Sequence, residues 1–598
     1  MKKITKIIAV ICTMALIAAS AAACSLEYES RFTEKESKDT AGEETVKESE
    51  ETTAEETTHA APTETADPYA GLTGTSKWVR TPVTVYSGED SPKIATFLKK
   101  GEEVEILGHG RLTSSGGLDM IQIRSGDVMG WVYAKYLADS IEEAEAVYQS
   151  IYDIHKDRSY TYDLYGGSPE SLDWYPVEKE EFAANKLMQD ARCMYLCMDA
   201  INSIDDYLEL AGENGVNSIV LDIKDYRLIC PFDIAAEMAP TANSLSYTSK
   251  EDVDSAVRKI KDAGMYLILR IVTFNDPLYA EDHPDECIDS PESSQLWPSA
   301  YNRNVWYYNV ALAEEAIDKF HPNEIQFDYV RFPEETFAMS DAGNADFKNE
   351  YDEEKAEAVQ NFLFYACDRI HSHNVYVSAD VFAECANEYV TAYGQYYPAV
   401  SNVVDVISAM PYPDHFERNI DTWTDPYDLL LTWSRKAAER QTEIETPALS
   451  RTWLCGYSVP FWSPSVTCDS EYIFREASAI YSGGLRDGFL LWNGGSNYQT
   501  YAAIGYAWGY DYSSEFPVII PQEPETEVYV EPEYDEPEYN EPEYYEEENG
   551  EDEYYEGGYE EPGYEEGYDE GYEEGYDEGY DEGGEEYEYG PDDEGYEE

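Results

Sequence analysis

The sequence predicts an α/β protein whose main body is a (β/α)8 barrel, preceded by a small all-β barrel and flanked by a disordered linker and a disordered tail. Three observations carry that reading. Between residues 191 and 510, eight apolar strand-like runs alternate with helix patterns, the order a parallel barrel requires. The runs are almost continuously apolar rather than alternating, as in strands buried on both faces. Upstream, residues 75–139 hold only short β-rich runs punctuated by Gly and Ser, which suits a small closed sheet.

The chain starts with Lys2, Lys3 and Lys6, an apolar stretch over 7–19, and the small residues Ala21-Ala22-Ala23-Cys24. That is the layout of an export signal. It resembles a bacterial lipoprotein signal, although Ala21 stands where that motif prefers Leu. The resemblance implies that Cys24 is the lipidated first residue of an extracellular, membrane-anchored chain, with plain secretion as the alternative. Residues 25–74 are rich in Glu, Thr, Ser and Ala and read as a linker without a core. From 511 to 598 the chain is a low-complexity run of Glu, Asp, Tyr, Gly and Pro, whose like charges keep it extended.

The formal charge is −84, from 40 Lys and Arg against 124 Asp and Glu. Such a balance argues against nucleic acid and against anionic lipid headgroups as electrostatic partners. An exported chain permits disulfides, and buried thiols are the alternative for its cysteines. Neither Cys nor His shows metal-ligand spacing, so no metal and no cofactor is expected.

In the upstream segment the β runs are 83–86, 104–107, 120–123 and 130–133. The closing string "GWVYAKYL" at 130–137 resembles that of bacterial SH3 domains. The resemblance implies a module that takes peptidoglycan or a wall peptide, with a ligand-free spacer as the alternative. Residues 140–190 read as a connector, helical over 141–154 and then aromatic and irregular.

The eight barrel runs are 193–200, 218–224, 266–274, 324–331, 375–382, 404–411, 448–454 and 488–492. Helices are expected over 249–264, opened by Ser249 and closed by Gly264, and over 304–320 and 352–373. Active sites of such barrels lie at the C-terminal ends of the strands. There the sequence places Asp222, Lys224 and Asp225 on the second strand and Arg270 on the third. Gln326, Asp328 and Arg331 fall on the fourth, and Asp380 on the fifth. Tyr412, Asp414 and His415 follow the sixth, Arg451 and Trp453 sit on the seventh, and Trp492 and Asn493 on the eighth. Trp297, Trp306 and Trp462 stand on the loops. Facing carboxylates, arginines and aromatic plates suit a sugar, because glycoside hydrolysis needs two carboxyl groups flanking the bond. No Gly-x-Ser-x-Gly elbow is present to support an esterase.

The blocks "VLDIKD" (220–225), "LRIVTFND" (269–276), "WYYNVALAEEA" (306–316), "EIQFDYVRFP" (324–333), "SADVF" (378–382) and "YPDHF" (412–416) resemble, in order, a glycoside-hydrolase family of bacterial exported proteins related to the α-amylase-type barrels. The resemblance covers 190–510. It departs at "YRLIC" after the second strand and at Asp414, where the family usually has Ser. It implies a polysaccharide substrate, with Asp328 as nucleophile or stabilising carboxylate and Asp380 as general acid. Asp222, Asp225, Arg270, Trp306, Arg331, Tyr412, Trp453 and Trp492 are expected to bind substrate. A non-catalytic glycan-binding protein on a degenerate barrel is the alternative.

Overall fold

In a computed structural model, described for residues 67–113, 115–156, 158, 166–416, 420–459 and 465–516, the barrel strands follow the predicted runs. They are Ala191–Leu196, Ser218–Lys224, Tyr266–Val272, Glu324–Asp328, Tyr376–Phe382, Val406–Met410 and Gly488–Trp492, with the seventh split into Leu449–Ser450 and Thr452–Cys455. All neighbours pair in parallel, and the eighth strand pairs with the first. The split seventh strand completes the closure. Leu449–Ser450 pairs with the sixth strand and Thr452–Cys455 with the eighth. At the break, the Arg451 amide still donates to Ile407 O at 3.0 Å. Gly488 opens the eighth strand at φ +99°, where any Cβ would collide with the Ala191 backbone.

The fourth strand shows how the sequence builds this wall. Successive side chains of a strand point to opposite faces. Ile325 and Phe327 turn outward and are fully buried; the Phe327 ring meets Phe362 of the helix Lys355–His371 edge-on at 5.5 Å. Glu324, Gln326 and Asp328 therefore turn into the barrel. The helices carry the expected stops: Ser249 Oγ accepts the Asp252 amide at 3.2 Å at the start of Lys250–Asp262, and Asn302 caps Arg303–Phe320.

The upstream segment forms a seven-stranded antiparallel sheet, and it is docked on the barrel. Tyr136 Oη donates to Asp368 Oδ1 at 3.0 Å, Tyr133 Oη to Asp368 O at 3.0 Å, and Lys135 pairs with Asp368 at 2.7 Å. Phe97 meets Trp306 edge-on at 6.2 Å. The connector is held too. Lys179 Nζ donates to the carbonyls of Ser401, Asn402 and Val404, capping the helix Tyr397–Val403.

Four expectations are corrected. The first strand stops at Leu196, and Met198–Ser203 is a 3-10 helix. The helix expected over 141–154 is two, Ile141–Glu145 and Gln149–His155. Ala146 is extended between them (ψ 146°), and beyond the break Tyr148 packs on Tyr175 at 5.8 Å. The linker ends before 67, because Asp67 pairs with His109 at 3.0 Å and the Gly74 amide donates to Ile106 O. Folded structure also continues past 511, since Tyr512 is fully buried against Tyr481 and Phe489. The export signal, Cys24, most of the linker and the tail beyond 516 lie outside the described residues. Among the described residues the eight cysteines are free thiols, all buried except half-buried Cys197.

At the floor of the barrel, Arg451 and Glu324 form an ion pair at 3.0 Å with both side chains fully buried. Tyr266 Oη donates to Glu324 at 2.9 Å and Arg451 donates to Met188 O at 3.1 Å. Removing one partner of such a pair strands the other charge in a dry interior, at a cost of about 3–5 kcal/mol. Arg451→Met is expected to lower the urea midpoint by the equivalent of that cost with an unchanged slope, measured by chemical denaturation.

Candidate active site

The site is built around Arg270, on the third strand and 3% exposed. Parallel register places Asp222 of the second strand beside it and Asp328 of the fourth strand two residues higher, opposite Val272. Arg270 Nη1 donates to Asp222 Oδ1 at 2.7 Å; Nη2 and Nε donate to Asp328 Oδ2 at 2.6 and 3.1 Å. The other Asp328 oxygen accepts the Tyr329 amide at 2.6 Å. Tyr329 adopts φ +53°, a conformation that a bulky side chain rarely takes. The second Asp222 oxygen accepts a hydrogen bond from Tyr195 Oη.

Asp380, on the fifth strand, is 1% exposed. Its Oδ1 accepts Trp453 Nε1–H at 2.8 Å, and its Oδ2 lies 4.0 Å from Arg270 Nε with no hydrogen-bond partner. Burial, then the charge of Asp328, holds its carboxyl well above the usual carboxylate range. Burial also pushes Asp222 up to about 6, with Arg270 opposing and Asp225 adding to the rise. Because Asp328 Oδ2 and Asp380 Oδ2 lie 3.1 and 4.0 Å from one Nε atom, they are at most about 7 Å apart. That bound lies below the upper limit of the roughly 5–9.5 Å separations that glycoside hydrolases use.

Above these groups a cavity of about 230 Å³ opens at the strand ends, lined by Arg270, Asp328, Tyr329, Arg331, Phe382, Met410, Tyr412, His415, Trp453, Tyr457 and Trp492. Two larger depressions, of about 590 and 700 Å³, lie elsewhere, one beside Lys355 and one between the antiparallel sheet and the barrel. Neither gathers residues from several strand ends, which is what identifies the smaller cavity as the candidate.

The structure thus brings together Asp222, Arg270, Asp328, Asp380, Arg331, Tyr412, Trp453 and Trp492. Asp380 and Asp222 stand beneath the cavity rather than on its wall. Asp225 is half-buried and influences Asp222 through its charge. Trp306 is a correction: it is fully buried on the outer helix, donates to Ala300 O at 2.8 Å and stacks under Arg303 at 3.8 Å, so it faces the antiparallel sheet and not the cavity. Arg451 is another, facing the floor. Lys224 is buried against Asp276 at 2.8 Å, and Trp462 lies outside the described residues. His415 is exposed at the cavity mouth, its amide donating to Tyr412 O at 3.0 Å and its ring edge-on to the Tyr412 ring at 5.2 Å.

Three contributors escaped sequence reasoning. Tyr195 stands one residue before the end of the first strand and packs on Trp492 at 4.4 Å. Tyr457 donates to both oxygens of Asp414 at 2.7 and 2.8 Å. Gln395 donates to Val330 O and Asp380 O and accepts the Phe382 amide, tying the fourth and fifth strand ends together. Only Tyr195 carried a signal, as an aromatic residue at a strand end. Among the described residues no group of three His, Cys, Asp or Glu is arranged to hold a metal ion.

Asp222 gives a pH signature. Its folded pKa of about 6 exceeds the ordinary carboxylate value of 3.8, so the folded chain binds more protons between those values. Its contribution to stability is full below about pH 4 and is lost as pH rises through about 6, by about 3 kcal/mol. The difference in unfolding free energy between the native chain and Asp222→Asn is expected to change by that amount across this window, read from urea titrations at successive pH values.

Comparison with known proteins completes the description. Residues 193–498, just over half of the 598-residue chain, match a family model described as "Putative glycosyl hydrolase domain". No curated protein sequence matches. Among solved structures, a hypothetical protein from Ruminiclostridium thermocellum is 27% identical, with 31% of this chain and 97% of that one covered and a TM-score of 0.26. A Flavobacterium johnsoniae chitobiase is 10% identical over 53% of this chain and 48% of its own, with a TM-score of 0.37. A noncanonic maltogenic α-amylase from Thermotoga neapolitana is 10% identical over 52% and 68%, with a TM-score of 0.32. The matched span runs from the first barrel strand to just past the eighth and contains all four members of the Arg270 cluster. The chain belongs to this glycosyl hydrolase family.

Proposed function

We propose that the chain is a glycoside hydrolase held at the cell surface through a lipid on Cys24, cleaving a cell-wall or environmental polysaccharide with two carboxyl groups. The observation that carries the reading is the Arg270 cluster, which sets Asp328 on a cavity wall and a proton-retaining Asp380 next to it. In this mechanism Asp328 meets the anomeric carbon. Arg270 and the Tyr329 amide fix it, and charge-assisted bonds of that kind hold a carboxylate in one orientation. Asp380 supplies the proton that the leaving oxygen requires, a task for an acid whose pKa is raised by burial and by a neighbouring negative charge. Tyr412, Trp453 and Trp492 give the sugar ring apolar faces.

A second reading rests on the burial of Asp380. If Trp453 and Arg270 keep it from substrate, the barrel binds glycan without cleaving it. Products separate the two. On a glycan library, hydrolysis predicts release of reducing ends by the native chain and a loss of at least about 10³-fold in Asp328→Asn, with glycan binding retained. Equal behaviour of native chain and variant on every glycan leaves the binding protein.

The antiparallel domain is read as an SH3-like module. Between a wall-peptide ligand and a spacer role, the engagement of Tyr133 and Tyr136 by Asp368 favours the spacer, here a brace for the barrel. Extracellular placement and the anchor rest on the Lys-rich start, the apolar stretch and the Ala-Ala-Ala-Cys site.

A further inference from the structure

Resting on the glycoside-hydrolase reading of this cavity, we propose that the sugar it takes carries a carboxylate, and that Arg331 is the residue that pairs with it. The cavity wall carries two guanidinium groups, Arg270 and Arg331, and one carboxylate, Asp328. Arg270 is neutralised by Asp222 and Asp328. Arg331 is not neutralised in the same way. It is 4% exposed, its Nη1 donates to Phe332 O at 2.9 Å, and its acidic partner, Glu334 at 3.1 Å, has a side chain 69% exposed.

Four other buried arginines are treated differently, while Arg192, 5% exposed and paired with a half-exposed Asp190, also donates to Tyr481 Oη and Tyr510 O. Arg303, Arg369, Arg440 and Arg451 each meet a carboxylate whose side chain is at most 11% exposed. A guanidinium withdrawn from water and left with a solvent-screened partner is costly. A ligand carboxylate arriving through the cavity would offset that cost.

The surroundings suit such a ligand. The guanidinium lies 4.3 Å from the Phe382 ring centre and 5.0 Å from that of Tyr329, both cavity walls. These rings fix its plane, and a planar guanidinium matches a carboxylate with two parallel hydrogen bonds. Glu334 is exposed and holds only Nη2, so a better-placed anion can displace it. The net charge of −84 repels long polyanions. The chemistry is therefore a single carboxylated sugar in an otherwise uncharged glycan. The carboxylate is either the C6 acid of a uronic sugar or the lactyl ether acid of a muramic sugar.

The test is calorimetric titration of the full chain with two pairs of probes: methyl glucuronide against methyl glucoside, and N-acetylmuramic acid against N-acetylglucosamine. At least one acid is expected to bind about tenfold or more tightly than its neutral counterpart, and which one does identifies the source of the carboxylate. Arg331→Gln should bring that ratio to about one. Because Arg331 is buried and its variant can misfold, Glu334→Gln provides a second measurement. It should strengthen binding of the acid several-fold without changing that of the neutral sugar. Equal binding within both pairs, a preference that survives Arg331→Gln, or no response to Glu334→Gln overturns the inference. Asp328-dependent cleavage of neutral glycosides alongside any of these results would leave the hydrolase reading standing and remove only this one.

Discussion

A guanidinium cannot sit inside a closed barrel without counter-charge, and that constraint at Arg270 organises the upper half of the molecule. Parallel pairing places Asp222 level with Arg270 on one side and Asp328 two residues higher on the other, and the requirement is met by both. One positive charge is then shared by two carboxylates. A third acid in the same space finds no counter-ion left. Asp380 has the Trp453 N–H and, on its second oxygen, nothing nearer than Arg270 Nε at 4.0 Å, so its carboxyl is held well above the usual carboxylate range. An acid of raised pKa beside the salt-bridged carboxylate thus follows from how many cations the barrel encloses.

The same logic recurs at the floor, where Arg451 and Glu324 close on each other with Tyr266. Between the two layers lie Gln326, Ser378 and Ser408, all fully buried. Barrel interiors are ordinarily packed with branched apolar side chains; this one is largely polar. The apolar burial that stabilises the strands is found on their outer faces, as with Ile325 and Phe327 against the helix Lys355–His371. Hydrophobic packing outside the wall and charge pairing inside it divide stability from chemistry along one alternating pattern of side chains.

That division decides what could be read in advance. Near-continuous apolar strands separated by capped helices are local signals, and all eight strands followed from them. Asp222, Arg270, Asp328 and Asp380 were legible because polar groups at barrel-strand ends have few structural explanations. Trp306 looked alike from sequence but belongs to a helix whose buried face meets the antiparallel sheet. Arg451 was misplaced because the seventh strand breaks at that residue, and a break in a ladder leaves no trace in composition. The edges of the folded region failed for a related reason. Residues 67–74 offer only Tyr69 and Leu72 as large apolar side chains, too few to mark an element, and pairing with His109 and Ile106, far along the chain, sets them apart. Gln395 was equally invisible, since its work is to join two loops distant in sequence.

Tyr329 shows the cost of assembling the site. A bulky residue at φ +53° carries of order 1–3 kcal/mol of strain, and the fold tolerates it directly after the carboxylate that matters most. The Tyr329 amide donates to Asp328 Oδ1, and the twist that follows it turns the ring to the cavity wall beside Arg331. A relaxed, extended backbone would carry the strand onward and take that ring away from the wall. Glycine would accept the angle more cheaply but would leave the wall without its ring. The presence of tyrosine there means that the strain is offset by a local gain, a wall ring that fixes the guanidinium. Ring and guanidinium both line the cavity to which the strand ends lead.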